Sequence, residues 1–270
     1  MKVIFIGDIH GKIGRRAVAA IVPQWREKYK PDFIVGNGEN LAHGSGMTAK
    51  TLDEVWSAGF DALTGGNHSL DKPEGRELLN NYALPLLRPA NLAGDNPGRG
   101  DIVITDKASG ILRLLVINLM GRVFFKEDKL IPNDPFRVLD QILEKHRDQK
   151  YSGIIIDFHA EATSEKTALG HYADGRVSAV LGTHTHIGTV DAHLLGSGTA
   201  YVTDVGAVIA VDSVIGENKD MIIESFLTDH LQHEPIEKGL CTVGAVLLDI
   251  DETNGKSRSI TRIDEELTIN

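Results

Sequence analysis

Cysteine is almost missing from this chain: Cys241 is the single one among 270 residues. That excludes an intramolecular disulfide and any zinc site built from clustered thiolates. Within the mostly apolar run Leu240 to Ile250 the residue reads as a small buried hydrophobe rather than a nucleophile. Positive charge is also short. Against 38 acidic side chains stand 28 lysines and arginines, a net charge of -10, so no diffuse basic surface is available to hold a long nucleic acid by counterion release. Any nucleic-acid substrate must then be small or gripped locally. No apolar run approaches the roughly 18 residues of a membrane span, and the stretch Met1 to Asp8 lacks the apolar core and cleavage site of a secretory leader. There is no fixed-period repeat, low-complexity tract or linker-like charge run. What is left is the expectation of a soluble cytoplasmic protein, 41% hydrophobic and 24% charged, read as one domain over residues 1–270.

What the chain does contain is a recurring unit. Val3 to Ile6 is a short apolar run stopped by Gly7-Asp8, the pattern of a buried central strand. Helical spacing follows from Ile13 to Tyr29 until Pro31 ends it. Asp32 to Gly36 predicts a second strand, running into Gly38-Glu39-Asn40. Thr48 to Ser57 predicts a helix, and Phe60 to Leu63 a third strand, ending in Gly66-Asn67-His68. The middle is turn-rich, with Ile102 to Thr105 and Ile111 to Asn118 as strands around Ser109-Gly110, which points to the chain crossing to a second sheet. Phe136 to His146 is helical in spacing. Ile154 to His159 is again a buried strand, Glu161 to Tyr172 a helix, and Val177 to Leu181 a strand leading into Gly182-Thr183-His184-Thr185-His186. Beyond it Asp191 to Leu195, Ala200 to Val205, Ile222 to Leu227, Leu240 to Ile250 and Ser259 to Ile263 read as strands. The fold class expected is α/β, two packed β-sheets flanked by helices.

Ligand-type residues sit at the carboxyl ends of these strands, where open α/β sheets form their binding crevices. Collected, they are Asp8, His10, Glu39, Asn67, His68, His159, His184 and His186. Each alone has a bland explanation as a turn cap, a solvated loop residue or a satisfied buried histidine; their joint placement favours a metal site. A mixed carboxylate, amide and imidazole set suits Mn, Fe, Co or Zn better than Mg or Ca. The set exceeds one tetrahedral ion, and two metals bridged by a carboxylate, with Glu39 as the candidate, use it naturally. Such a pair can polarise phosphoryl oxygens and hold a bridging hydroxide for in-line attack. Asn67 adds a neutral oxygen ligand, and His68 beside it is placed to stabilise the equatorial oxygens or protonate a leaving alkoxide.

Gly7-Asp8-x-His10-Gly11, Gly66-Asn67-His68 and Gly182-Thr183-His184-Thr185-His186 together resemble the calcineurin-like metallophosphoesterases, whose fold is a two-sheet α/β sandwich with a binuclear centre. Gly38 to Gly46, Arg88 to Asn91, Asp157 to Lys166 and Gly175 to Val180 are similar to the bacterial YmdB-type family of 2′,3′-cyclic-nucleotide 2′-phosphodiesterases. The resemblance implies one metal on Asp8, Glu39 and His186 and a second on Glu39, Asn67, His159 and His184, with Asn40 and His68 beside the phosphate. Fe and Mn are the leading metals and Zn or Co are compatible. His10 stands where the family usually has an apolar residue and the wider superfamily a ligating histidine, which makes it a further candidate for the first metal. Leu70 replaces a usual Trp, and Gly206 to Ala210 lacks the usual Gly-Met-Thr-Gly pattern, both near the expected site loops.

The function expected is therefore a binuclear-metal phosphodiesterase for small phosphodiesters, with 2′,3′-cyclic nucleotides as the implied class and a homo-oligomer as the implied assembly. Two other readings stay open: a phosphomonoesterase on the same centre, and a regulatory protein that binds metal or nucleotide with low activity.

Overall fold

Side chains of a strand leave alternate faces, and in β1 (Lys2–Ile9) both faces are covered. Ile4, Ile6 and Ile9 pack with Ile13, Val18 and Trp25 of α1 (Gly11–Tyr29), whereas Val3 and Phe5 face a separate cluster. This computed structural model describes residues 1–106, 108–125, 132–230 and 232–270. After β2 (Phe33–Asn37), α2 (Ala49–Ala58), β3 (Ala62–Thr64) and α3 (Pro73–Leu79) the chain crosses to a second sheet. It comprises β4 (Asp101–Thr105), β5 (Arg113–Met120), α4 (Pro135–Lys145), β6 (Gly153–His159), α5 (Thr163–Ala173), β7 (Ala179–Thr183), β8 (His193–Leu194) and β9 (Ala200–Val202). The chain then returns through β10 (Ala207–Ala210), α6 (Lys219–Thr228), β11 (Gly239–Val243), β12 (Ala245–Ile250), β13 (Ser257–Arg262) and β14 (Glu265–Ile269).

Among the described residues the first sheet has eight strands and the second six, the latter in the order β4-β5-β6-β7-β9-β8. β1 pairs with β2 along one edge. Its other edge is divided, antiparallel to β12 over Lys2 to Ile6 and parallel to β10 at Asp8 and Ile9. The sheets meet face to face: Val3, Phe5, Phe33 and Val35 share one cluster with Leu114, Val116, Ile155, Ala179 and Leu181. Outside the second sheet, Ile117, Ile156 and Phe158 pack on Leu139 of α4 and Leu169 of α5. The layers run helix, sheet, sheet, helix, the arrangement expected from the sequence.

Several expectations change. Ile222 to Leu227 is not a strand but part of α6. The Asn218 side chain accepts hydrogen bonds from the Asp220 and Met221 amides and caps that helix, and Ile223, Phe226 and Leu227 are left exposed. Leu240 to Ile250 is two strands, because the chain crosses from β10 to β1 at Gly244. There the Gly7 amide donates to the Gly244 carbonyl and the Gly244 amide to the Ala207 carbonyl, each at 3.0 Å. Asp191 to Leu195 contracts to the two-residue β8, and α3, β10 and β14 were not anticipated.

Glycines let backbones touch just ahead of the ligand-type residues. A Cβ on Gly7 would lie 1.7 Å from the Gly206 carbonyl oxygen, and one on Gly182 would lie 1.8 Å from that of Thr203. Neither neighbour is a flexible side-chain tip. Gly7→Ala is therefore expected to lower the unfolding free energy by about 2 kcal/mol or more; an unchanged urea midpoint would contradict this reading of the contact.

Candidate metal centre

The carboxyl ends of strands from both sheets converge. Asp8 comes from β1, Glu39 from the loop after β2, Asn67 and His68 from the loop after β3, His159 from the last position of β6, and His184 and His186 from the loop after β7. His159 is at the middle. Its Nε2 lies 3.1 Å from Glu39 Oε1, 3.0 Å from Asn67 Oδ1 and 3.1 Å from His184 Nδ1. One nitrogen has room for one proton, so three such neighbours within hydrogen-bond reach cannot all be satisfied by it; lone pairs converging on a point are what a cation requires. The ligand atoms of Glu39, His159 and His184 all lie within 4.8 Å of one another. Asp8 adjoins them, with Oδ1 3.7 Å from His159 Nδ1, and that oxygen is buried with no hydrogen-bond partner. An orphaned carboxylate oxygen beside this donor set fits a metal centre.

Tautomers follow from the surrounding bonds. The Thr183 hydroxyl donates to Asp157 Oδ1 at 2.7 Å and lies 2.9 Å from His159 Nδ1, which places a proton on Nδ1, so that whenever the ring is neutral its Nε2 lone pair faces Glu39. Asn37 ties this support to the first sheet, donating to Asp157 Oδ2 at 2.9 Å while its Oδ1 accepts from the Glu39 amide at 3.0 Å. His186 faces the Ile215 carbonyl through Nδ1 at 3.1 Å, leaving Nε2 for a ligand. A Cβ at Gly66 would stand 2.2 Å from Glu39 Oε2 and 2.4 Å from His159 Nε2, so that glycine keeps the centre open.

Burial sets the charges. It pushes His184 down to about 3, with His159 adding, and His186 down to about 4, with His10 adding, so both rings are neutral at neutral pH, the form that metal binding requires. Burial pushes Asp8 up to about 8 against the pull of His159. His159 is moved the other way: burial lowers it, but Glu39, Asp8 and Asp157 outweigh that and hold it at about 9. Burial opposes ionisation of Glu39 too, and His159, His68 and His184 overcome it, holding the carboxyl well below its ordinary value. The cluster favours positive charge at its centre, whether a proton or a metal supplies it.

The remaining predicted residues line the cavity above. His68 Nδ1 is 2.7 Å from Asp71 Oδ2, and its amide donates to Glu39 Oε2 at 3.0 Å. Burial lowers the His68 pKa, but the Asp71 hydrogen bond with the Glu39 and Asp71 charges raises it above the ordinary value. Asn40 Nδ2 donates to the Gly44 carbonyl at 2.8 Å, and its Oδ1 is buried without a partner. His10 lies in the same wall, edge-on to His186 with ring centroids 5.8 Å apart. Its Nε2 faces Glu217 Oε1 at 3.3 Å, and neither of its nitrogens belongs to the group formed by Glu39, His159 and His184. Leu70 is buried in the core beneath α1 and α2, and Ala207 to Ala210 form β10.

Sequence reasoning gave no role to the pair beneath the His-x-His loop. Lys166 Nζ and Asp204 Oδ2 are 2.7 Å apart and 1% and 0% exposed. The same oxygen accepts from the Thr185 amide at 3.2 Å and its hydroxyl at 2.7 Å. His184 and His186 flank Thr185 with φ of 96° and 64°, conformations that persist only where the surroundings enforce them. Their signal was a lysine inside the apolar spacing of α5, which reads as solvated until a partner is seen.

A family model described as YmdB-like protein matches residues 4–263. The chain is 44% identical over 264 residues to a 2′,3′-cyclic-nucleotide 2′-phosphodiesterase of Bacillus subtilis (strain 168), covering 97% of this chain and 96% of that protein. A crystal structure of a novel phosphatase of Mycoplasma pneumoniae superposes with a TM-score of 0.88 at 32% identity, covering 100% of this chain and 94% of that one. That of a hypothetical protein from Thermus thermophilus gives 0.87 at 39%, covering 98% and 99%.

Lys166→Met leaves Asp204 buried and uncompensated, so it is expected to cost about 3–5 kcal/mol of stability and to lower metal retention. Urea unfolding and metal analysis after gel filtration check both; a variant that keeps wild-type stability and metal content would deny the pair its part in holding the loop.

Proposed function

The chain belongs to the family of YmdB-like proteins, and from that premise we propose that it is a phosphodiesterase hydrolysing small phosphodiesters, 2′,3′-cyclic nucleotides foremost, on a binuclear metal centre. The observation that carries this reading is the convergence of Glu39, Asn67 and His184 on His159 Nε2, beside a cavity of about 420 Å³ lined by Glu39, Asn40, His68, His184 and His186. Its substrate class follows from the name of the Bacillus subtilis relative.

In this reading Asp8, Glu39 and His186 hold one metal, and Glu39, Asn67, His159 and His184 the other, with His10 as the residue that would extend the first set. Fe or Mn suits these donors, with Zn or Co also compatible. When bound, the two cations supply Lewis acidity toward the phosphoryl oxygens and lower the pKa of the attacking water.

The chain's own residues do the rest. Asn40 is assigned a hydrogen bond to a phosphoryl oxygen from its amide. His68, oriented by Asp71 through Nδ1, is assigned the proton that the departing 2′ oxygen takes. Water adds across the P–O2′ bond: its oxygen goes to phosphorus, His68 protonates the sugar oxygen, and the water's proton is released to solvent, giving a 3′-monophosphate. We further read residues 1–270 as one unit acting as a cytoplasmic homo-oligomer; among the described residues no helix is long and apolar enough to cross a membrane.

Purified protein with Mn²⁺ is expected to cleave bis(p-nitrophenyl) phosphate and 2′,3′-cyclic AMP well and p-nitrophenyl phosphate poorly. Failure on both diesters would sink the proposal, and preference for the monoester would move it to a phosphomonoesterase. His68→Ala is expected to lower kcat by about 10²–10⁴ with metal content intact. A variant that lost its metal in parallel would make His68 a structural residue instead.

A further inference from the structure

A second cavity of about 400 Å³ lies against α6, with Val214, Ile215, Ile222 and Phe226 in its lining. It adjoins the cavity over the metal centre, since Ile215, Glu217 and His233 line both. Ile215 joins the two directly. Its carbonyl faces His186 Nδ1 at 3.1 Å, while the residue is 47% exposed and lines the apolar cavity. Ile222 and Phe226 are one helical turn apart on α6, so they present a common face. Phe226 is 83% exposed, an aromatic ring of no use to the core. Around this apolar floor stand Glu217, Asp229 and His233.

The geometry points to a nucleobase subsite, which deepens the phosphodiesterase reading and rests on it. A base has two apolar faces and a polar edge, and the cavity offers an apolar floor with polar groups at its margin. Phe226 supplies the stacking surface, and the carboxylates of Glu217 and Asp229 suit the exocyclic amino group of adenine. Continuity with the catalytic cavity through Ile215 argues for a group attached to the reacting phosphate rather than for a separate ligand. The same continuity separates this occupant from a segment of a second protein copy, which would need no path to the metals.

The test compares 2′,3′-cyclic AMP with methyl riboside 2′,3′-cyclic phosphate, which has no base. The ratio of kcat/KM for the nucleotide over the base-less ester is expected to fall about tenfold in Phe226→Ala, the scale of one base stacked on one ring. An unmoved ratio overturns the proposal. So does an equal loss on both esters accompanied by dissociation of an oligomer in light scattering, which would assign this surface to a second copy. If the wild-type protein hydrolyses neither ester, the phosphodiesterase reading fails by itself, and calorimetry with 3′-AMP in the presence of Mn²⁺ decides the subsite. An affinity about tenfold weaker in Phe226→Ala supports it, and an equal affinity overturns it.

Discussion

Charge without water is the constraint on which this molecule is built. Asp8, Glu39, Asp157, His159, Lys166 and Asp204 are all buried at the junction of two sheets, where an ion without a partner costs several kcal/mol. The protein answers with a network in which nearly every polar atom is matched. Asp157 takes hydrogen bonds from Thr183, Asn37 and Thr64, and Asp204 takes them from Lys166, Thr185 and Gly206. Among the described residues the buried side-chain atoms left unmatched include Asp8 Oδ1, His10 Nδ1, Asn40 Oδ1 and Glu217 Oε2, which gather around the candidate centre, while Trp56 Nε1 lies apart on α2. The scaffold concentrates its electrostatic deficit where a cation would relieve it.

Much of this could be read before any coordinates. Runs such as Val3 to Ile6 and Ile154 to Ile156 announce strands covered on both faces, because nothing in them alternates with polar residues. Val3 to Ile6 stops at Gly7-Asp8 and Val177 to Leu181 at Gly182 ahead of His184, while Ile154 to Ile156 runs straight into Asp157 and His159; such strand ends marked the crevice and singled out Asp8, Glu39, Asn67, His159, His184 and His186 as a set. The network behind them was less legible. Asp157 sits inside an apolar strand and Lys166 inside a helix, and local sequence gives no means of telling a buried ion with a distant partner from a solvated one. Lys166 finds Asp204 across 38 positions, and Asn37 finds Asp157 across 120.

The secondary-structure misses have local physical reasons. Ile222 to Leu227 has strand-like composition, yet the Asn218 cap decides for helix, and the exposure of its apolar residues removes the burial argument that favoured a strand. Gly244 splits one apolar run because two strands share the same edge of β1, a feature of topology that composition does not encode. His10 shows the same limit at the site. A histidine two positions after Asp8 matches a ligating pattern, and nothing local announces that its Nε2 also faces Glu217, a residue more than two hundred positions away.

The divided edge of β1 bears on how the protein comes into being. The strand that carries Asp8 is made long before its partner, since its Lys2 to Ile6 portion pairs with Ala245 to Asp249. On the ribosome that strand must wait with one side open, exposed to wrong pairings, until Ala245 to Asp249 have emerged. Completion of the sheet that carries Asp8 is thus tied to a segment made more than two hundred residues later, and a nascent chain stalled before it would display that carboxylate without its finished surroundings.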